Sequence, residues 1–461
     1  MLTELVVISV FIALISTLLS PKAKTVSSFY HGTSQTGQKP ELLTLIFSQV
    51  TTWIFARSLM NAAILGFYYG LWGTLAYAAY YLSFLTGASI IDSLRFKHGF
   101  NNVQGFLFDR FGRVGTACYN FVIGLRLISE VFANVLVIGI LFGAAGSDMY
   151  VLSIIGFAAV TLLYSMSGGL HASLRTDVMQ MAIFVVVLTT LLITMIFGEH
   201  FSWQVITFKE FNAQEPGPIL LLVALIQIWS YPMHDPVMMD RGFLADRNTT
   251  RRSFYHAAWI SVLCILGFGL LGIFAGANTL SGESINITLA RLLGEIPMLL
   301  FSITLTISAM STLDSTLSSS AKLIVIDMKL LPASIFNGRI IMTLFMLLGL
   351  LLAFSGNKDL FSAVAVSGTA SMYLAPVIFF SLWAGRQDIP VWSYFGSFIL
   401  AVSAATLYFL ESSSHTMWLG DAHKYTKLLW ISLSVLFGGC LLFWLGGKTS
   451  TQQNTVTSTA S

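Results

Sequence analysis

Ser308-Ala309-Met310-Ser311-Thr312-Leu313-Asp314-Ser315-Thr316-Leu317 lies inside an otherwise apolar segment of helix length. On a helix, Ser308, Ser311, Thr312 and Ser315 fall at i, i+3, i+4 and i+7, so their hydroxyls share one face with Asp314 just beside it. An ionised carboxylate at membrane depth costs roughly 2.5–3.5 kcal/mol on insertion scales, so Asp314 needs a partner or a purpose. Hydroxyl oxygens next to a carboxylate offer hard ligands to a hard cation, which points to an alkali-ion site and hence to a transporter. Packing is the other reading of the same run, since Ser and Thr let helices approach closely.

The rest of the chain agrees with a membrane setting. Of its 461 residues, 56% are hydrophobic and only 10% charged, and the mean hydropathy is +0.79; a soluble protein would carry about a quarter charged residues. The basic residues behind the net charge of +3 concentrate in connections between apolar segments. There they set topology rather than bind nucleic acid. Cys118, Cys264 and Cys440 have no metal-ligand spacing and read as buried small residues. No Walker motif, Ser-His-Asp constellation or metal cluster suggests an enzyme.

Apolar segments long enough to cross about 30 Å occur near 2–20, 42–69, 71–93, 114–144, 150–167, 176–198, 217–234, 254–277, 297–328, 336–355, 360–384, 390–410 and 428–446. The expectation is therefore all-α, with about 13 transmembrane helices. Glu4 precedes the first segment and Lys22 and Lys24 follow it, the reverse of a cleaved signal, so it reads as a retained span. With the N-terminus outside and the C-terminus cytoplasmic, most Lys and Arg, Arg241 among them, fall inside, leaving Lys209, Arg291, Lys358, Lys424 and Lys427 outside. The expected divisions of this single transporter domain are an extra helix at 2–20, five-helix halves at 42–198 and 217–384, two C-terminal helices at 390–446, and a disordered tail at 448–461. Each half begins with an interrupted helix: Ser48, Thr51, Thr52, Arg57, Ser58 and Asn61 in the first, and Gln227, Ser230, Pro232, His234, Asp235 and Pro236 in the second. Broken helices in corresponding halves point to a binding site at the bilayer midplane.

Four stretches carry a family resemblance. They are Gly168-Gly169-Leu170-His171-Ala172 with Arg175-Thr176-Asp177-Val178-Met179-Gln180; Phe106-Leu107-Phe108-Asp109-Arg110-Phe111-Gly112; Arg241-Gly242-Phe243-Leu244-Ala245; and Met310-Ser311-Thr312-Leu313-Asp314-Ser315. Together they resemble the sodium:solute symporter family, whose members include sugar, proline and sialic acid symporters. The resemblance covers about residues 42–384. It implies a LeuT-like 5+5 inverted repeat with flanking helices and sodium-coupled symport of a small polar solute by alternating access.

The resemblance also assigns residues. One sodium ion would be held by Ser311 and Thr312 with carbonyls of Ser308, Val50 and Trp53. A second, present in only some members, would use Asp177, Ser311, Asp314 and Ser315. Where the proline symporter carries an acid, this chain has Thr52. A plainer reading makes Asp177 an interfacial acid near Arg175.

For the solute, the candidates are Arg57, Glu130, Asn134, Gln227, Trp229, Tyr231, His234 and Asp235. Arg57 would clamp a carboxylate bidentately, or else pair internally with Glu130 or Asp235. Arg126 and Glu130 stand at i, i+4 and make a natural pair. His234 lacks a second metal ligand at suitable spacing. The expected partners are a small organic solute, sodium ions and the bilayer of a plasma membrane, of bacterial inner-membrane type, with the chain acting as a monomer. The alternatives are a substrate-sensing membrane module without net transport, a passive channel and a proton-coupled carrier.

Overall fold

The computed structural model describes residues 2–34, 36–206, 211–354, 360–413 and 415–459, and Lys209 and Lys358 of the outer basic set lie outside them. The first part of the chain forms α1 (Leu2–Leu19), α2 (Val26–His31), α3 (Leu42–Trp53), α4 (Ala56–Ala79), α5 (Ser83–Ile91), α6 (Val103–Phe142) and α7 (Asp148–Ile196). The middle forms α8 (Pro216–Gln227), α9 (Tyr231–His234), α10 (Pro236–Gly242), α11 (Arg247–Ala277) and α12 (Ile285–Leu293). The remainder forms α13 (Glu295–Lys322), α14 (Ile335–Phe354), α15 (Leu360–Ser371), α16 (Leu374–Pro376), α17 (Val391–Ser412) and α18 (Lys424–Thr459). No strand occurs among the described residues. Nine helices there are long and apolar enough to cross a membrane, and Thr3–Leu19, Leu42–Trp53 and Pro216–Gln227 are shorter apolar helices beside them.

Three of the long elements are interrupted at glycines. Within α7 two helices meet at Gly169, where φ is +56° and ψ −139°, between the spans expected at 150–167 and 176–198. Gly70 and Gly112 bend α4 and α6 in the same way, at φ of +59° and +61°. Only glycine adopts that conformation without steric cost, so each bend is written into the residue type. At Gly169 the bend also brings the backbone against the Phe29 carbonyl of α2, leaving no room for a Cβ. The segment from Lys448, expected as an unstructured end, continues the backbone of α18 to Thr459; it contains no Gly or Pro to stop a helix.

Two real breaks lie where the sequence places them. α3 stops at Trp53, and Ile54 and Phe55 take non-helical ψ values of 70° and 150° before α4 begins. α8 stops at Gln227, and Asp235, extended at φ −99°, ψ 102°, separates α9 from α10. Proline at 232 and 236 sits in the first turn of each new helix, where its missing N–H costs nothing.

Small residues set the closest approach in the bundle. Along α11, Gly269, Gly272 and Gly276 lie against Gly66, Ala63 and Phe67 of α4, and a Cβ on any of the three would strike the neighbouring helix. Where the surrounding medium is as apolar as the side chains, such backbone proximity is what holds helices together. This pair positions the start of α4, and with it Arg57, against the middle of the bundle. α13 is buried along almost its whole length, from Pro297 to Lys322, and packs on α7, α6 and α14.

Candidate functional site

The hydroxyl face of α13 meets α3, α7 and α10 and forms a buried polar centre. Asp314 accepts from four hydroxyls: Ser173 at 2.8 Å and Ser315 at 3.2 Å on Oδ1, and Tyr164 and Thr176, both at 3.0 Å, on Oδ2. A carboxylate has about four lone-pair positions, so Asp314 is saturated by its neighbours. Asp177 accepts at 2.6 Å from Ser311 on Oδ1 and at 2.6 Å from Ser48 on Oδ2. Arg241 enters between the two acids. Its Nη2 donates to Ser315 at 2.8 Å and lies 3.7 Å from Asp177 Oδ2, while its Nε donates to Ser48 at 3.1 Å. Asp177, Asp314 and Arg241 are all fully buried.

Sequence reasoning missed Arg241 as part of this centre. Read as one of the basic residues of a cytoplasmic connection, it instead ends α10 inside the protein, where Asp177 and a ring of hydroxyls offset its desolvation. Ser173, Thr176 and Tyr164 were likewise unmarked, because nothing in the spacing of α7 says that it crosses α13. The plainer reading of Asp177, as a partner of Arg175, gives way to the pairing with Arg241.

Of the five groups expected for a first sodium ion, Ser308 meets the break after α3 directly. The Ser308 hydroxyl donates to the Ile54 carbonyl, and Thr312 donates to the Ser308 carbonyl at 2.9 Å. The Val50 carbonyl accepts from the Ile54 N–H at 2.9 Å and that of Trp53 from the Tyr81 hydroxyl at 2.9 Å. Ser311, one turn along, faces Asp177. Hydroxyls of α13 thus meet a carbonyl at the break after α3 and a carboxylate of α7, oxygen ligands of the kind a small hard cation takes. Among the described residues no group of three His, Cys, Asp or Glu side chains could hold a metal ion.

A second polar cluster surrounds the start of α4. Arg57 donates to Glu130 at 2.6 Å, Arg126 also contacts Glu130, and Arg126 donates to Asp235 at 3.1 Å. Asp235 in turn caps α10 by accepting from the Met238 N–H at 2.9 Å. Both internal pairings expected for Glu130 are therefore made. Arg57 Nε and Nη1, Glu130 Oε2, Asn134 Oδ1 and Asn61 Nδ2 are buried without a hydrogen-bond partner. Aromatic rings close round them: the guanidinium groups of Arg57 and Arg126 lie 5.6 and 5.7 Å from the Phe55 ring, and Trp53 meets Tyr231 at 5.7 Å.

The remaining candidates are placed differently. Trp229 is 40% exposed and packs on Phe379 and Trp383, away from this cluster. It sits in the turn between α8 and α9, where the chain direction changes and carries it outward while Gln227 and Tyr231 stay inside. Gln227 is engaged by Tyr80 at 3.0 Å and by Ser432 of α18 at 3.3 Å. His234 is buried, with Nε2 3.0 Å from the Ser367 hydroxyl. At the far end of α13, Lys322 binds Asp240 at 2.6 Å and Asp327 at 3.2 Å, tying α13 to α10 across 82 positions of the chain.

No protein-family model matches the chain, and no curated protein matches it in sequence. Solved structures do match in fold. A Na+-coupled sialic acid symporter, in a substrate-bound outward-open state, aligns over 96% of this chain and 97% of its own at 14% identity and a TM-score of 0.68. Mhp1, a nucleobase-cation-symport-1 family transporter in a closed conformation with bromovinylhydantoin bound, aligns over 94% and 95% at 15% identity and 0.61. A manganese transporter of Eremococcus coleocola aligns over 89% and 95% at 12% identity and 0.52. Likeness at such identity is a likeness of architecture, and on it the chain has the LeuT-type fold shared by these helical transporters.

Proposed function

We propose that the chain is a sodium-coupled symporter that carries a small polar organic solute by alternating access, with one sodium ion per cycle. One observation carries this reading: two buried carboxylates, Asp177 and Asp314, face one guanidinium, Arg241. With both carboxylates ionised the centre carries a net negative charge at a depth where water cannot offset it, and a bound cation removes that cost. Asp314 is already saturated by hydroxyls, so the ion belongs beside Asp177 Oδ1, with Ser311, Thr312, Ser308 and the carbonyls of Val50 and Trp53. Arg241 takes the place between Asp177 and Ser315 that a second ion would need. That the fold is shared with a Na+-coupled symporter and a nucleobase-cation symporter supports the same reading.

The solute belongs at the second cluster. Its two guanidinium groups and two carboxylates are matched in charge, while donors on Arg57 and Asn61 and acceptors on Glu130 and Asn134 are unfilled. Buried polar atoms without partners cost about 1–3 kcal/mol each, which a solute bearing both donors and acceptors recovers. One ion crossing about 100 mV gains ~2.3 kcal/mol, and a tenfold gradient adds roughly 1.4 kcal/mol, enough for about a 500-fold solute gradient. The proposal includes the expected divisions of the chain up to residue 446, an external N-terminus, a cytoplasmic C-terminus, a plasma-membrane location and a monomer, the last because the side chains of both clusters come from one chain.

The test begins with a thermal-shift screen of sugars, amino acids, carboxylates and vitamins, with and without sodium. A solute whose stabilisation requires sodium is then followed as a tracer into proteoliposomes under an imposed voltage. Accumulation is expected with sodium outside. Uptake unchanged when potassium or choline replaces sodium would overturn the reading, and uptake driven by a proton gradient alone would replace it with proton coupling.

A further inference from the structure

A cavity of about 390 Å³ opens on the side of the bundle between α6, α15 and α17. That lies within the range of about 300–1,000 Å³ usual for small-molecule sites. Its walls are mostly apolar, with Phe132, Val366, Val402 and Ala405 among them, and carry the hydroxyls of Ser129, Ser367 and Thr406 as well. Phe121 and Leu125 at its rim are 58% and 52% exposed, on the outer face of a helix with the length and hydropathy of a membrane span. The mouth therefore opens where lipid tails lie.

Two polar side chains, both buried, stand at the inner end. His234 is 1% exposed and Arg126 3%. His234 Nδ1 and Arg126 Nε have no hydrogen-bond partner. Where the Ser367 hydroxyl donates to His234 Nε2, Nδ1 carries the ring proton, so both open positions are donors. The charge of Arg126 is already matched by Glu130 and Asp235. A charged occupant would thus add a buried ion with no counter-charge, whereas a neutral acceptor would complete two hydrogen bonds at no such cost.

We propose that this cavity binds a membrane-dissolved amphiphile with one apolar tail and a neutral carbonyl head, the carbonyl oxygen accepting from His234 Nδ1 and Arg126 Nε. Entry is sideways from the bilayer, and the site lies apart from the sodium position and meets the second polar cluster at Arg126 alone. The inference does not rest on sodium coupling, so either reading can fail alone.

Tritiated 2-undecanone, titrated into the full-length protein in lipid nanodiscs, tests it against empty nanodiscs. Saturable binding near one per chain is expected, weakened at least tenfold in Ala405→Trp, which fills the cavity from α17. Unlabelled 2-undecanone should displace the label, and undecane, decanoate and decylamine should do so at least tenfold less well. Uptake that merely follows partition into empty nanodiscs overturns the proposal. Equal competition by undecane removes the role of the head, and equal competition by decanoate or decylamine removes its neutrality. These competition measurements need only the unaltered protein, so the result stands even if Ala405→Trp fails to fold.

Discussion

Asp177 and Asp314 on one side of the bundle, and Glu130 and Asp235 on the other, are two pairs of buried acids with opposite deficits. Around the first pair the acceptor positions are largely filled, by Ser48, Ser173, Ser311, Ser315, Thr176 and Tyr164, but only one guanidinium is present. Around the second, two guanidinium groups match two carboxylates, yet donors and acceptors stand empty. In the proposed reading, the centre short of positive charge takes the cation, and the one with matched charge and unfilled hydrogen bonds takes the polar solute. The same residue types would then do different work according to what is left unpaired.

The strongest way to break this contrast is to remove the single guanidinium. Arg241→Ala leaves two buried carboxylates unopposed and should cost about 3–5 kcal/mol of stability, read as a large loss of melting temperature in purified protein, with added sodium restoring part of it. A melting curve like that of the wild type would dissolve the charge argument. Glu130→Gln attacks the other cluster, leaving its guanidinium groups in excess. Solute-induced stabilisation should disappear while sodium-induced stabilisation persists; loss of both would show that the two clusters are not separable.

Ser311→Ala and Thr312→Ala act on ligands rather than charges. Each should weaken apparent sodium affinity by about tenfold, near 1.4 kcal/mol, seen as a shifted midpoint in sodium titrations of thermal stability. Unmoved midpoints in both would place the ion elsewhere.

The smallest effect belongs to an ion pair outside the bundle. Glu283, in the connection before α12, is held bidentately by Arg291 at 2.8 and 2.9 Å, and that bond draws its carboxyl down to about 2. Because the folded value lies below the ordinary carboxylate value, the pair's contribution is complete above about pH 4.5 and is lost as pH falls towards 2. Exposed to solvent, it should matter little: Glu283→Gln is expected to change melting at pH 7 by no more than a degree or two, against the large loss in Arg241→Ala.

Much of the first cluster was legible because polar groups in an apolar helix declare themselves. The i, i+3, i+4, i+7 pattern of Ser308, Ser311, Thr312 and Ser315 put four hydroxyls on one face, and proline at 232 and 236 marked one broken helix. Glycine marked the breaks inside the long elements, since only it takes the positive φ at Gly169 where two helices of α7 meet. Trp229 looked equivalent to Tyr231 two residues on, but the turn between α8 and α9 sends one outward and the other in. Arg241 misled for a physical reason: charge in a membrane protein is usually a sign of a connection, and only a partner 64 residues earlier in the chain makes its burial tolerable.

The sequence by itself determined the membrane-spanning helical class, the broken helices and the hydroxyl face around Asp314, because hydropathy, helical period and proline chemistry act locally. Only the tertiary structure decided which charges are matched. Whether Asp177 faces Arg175 or Arg241, and whether Arg57 is free or held by Glu130, depends on which helices cross at depth. In a low-dielectric interior that crossing sets the sign of what is left to bind.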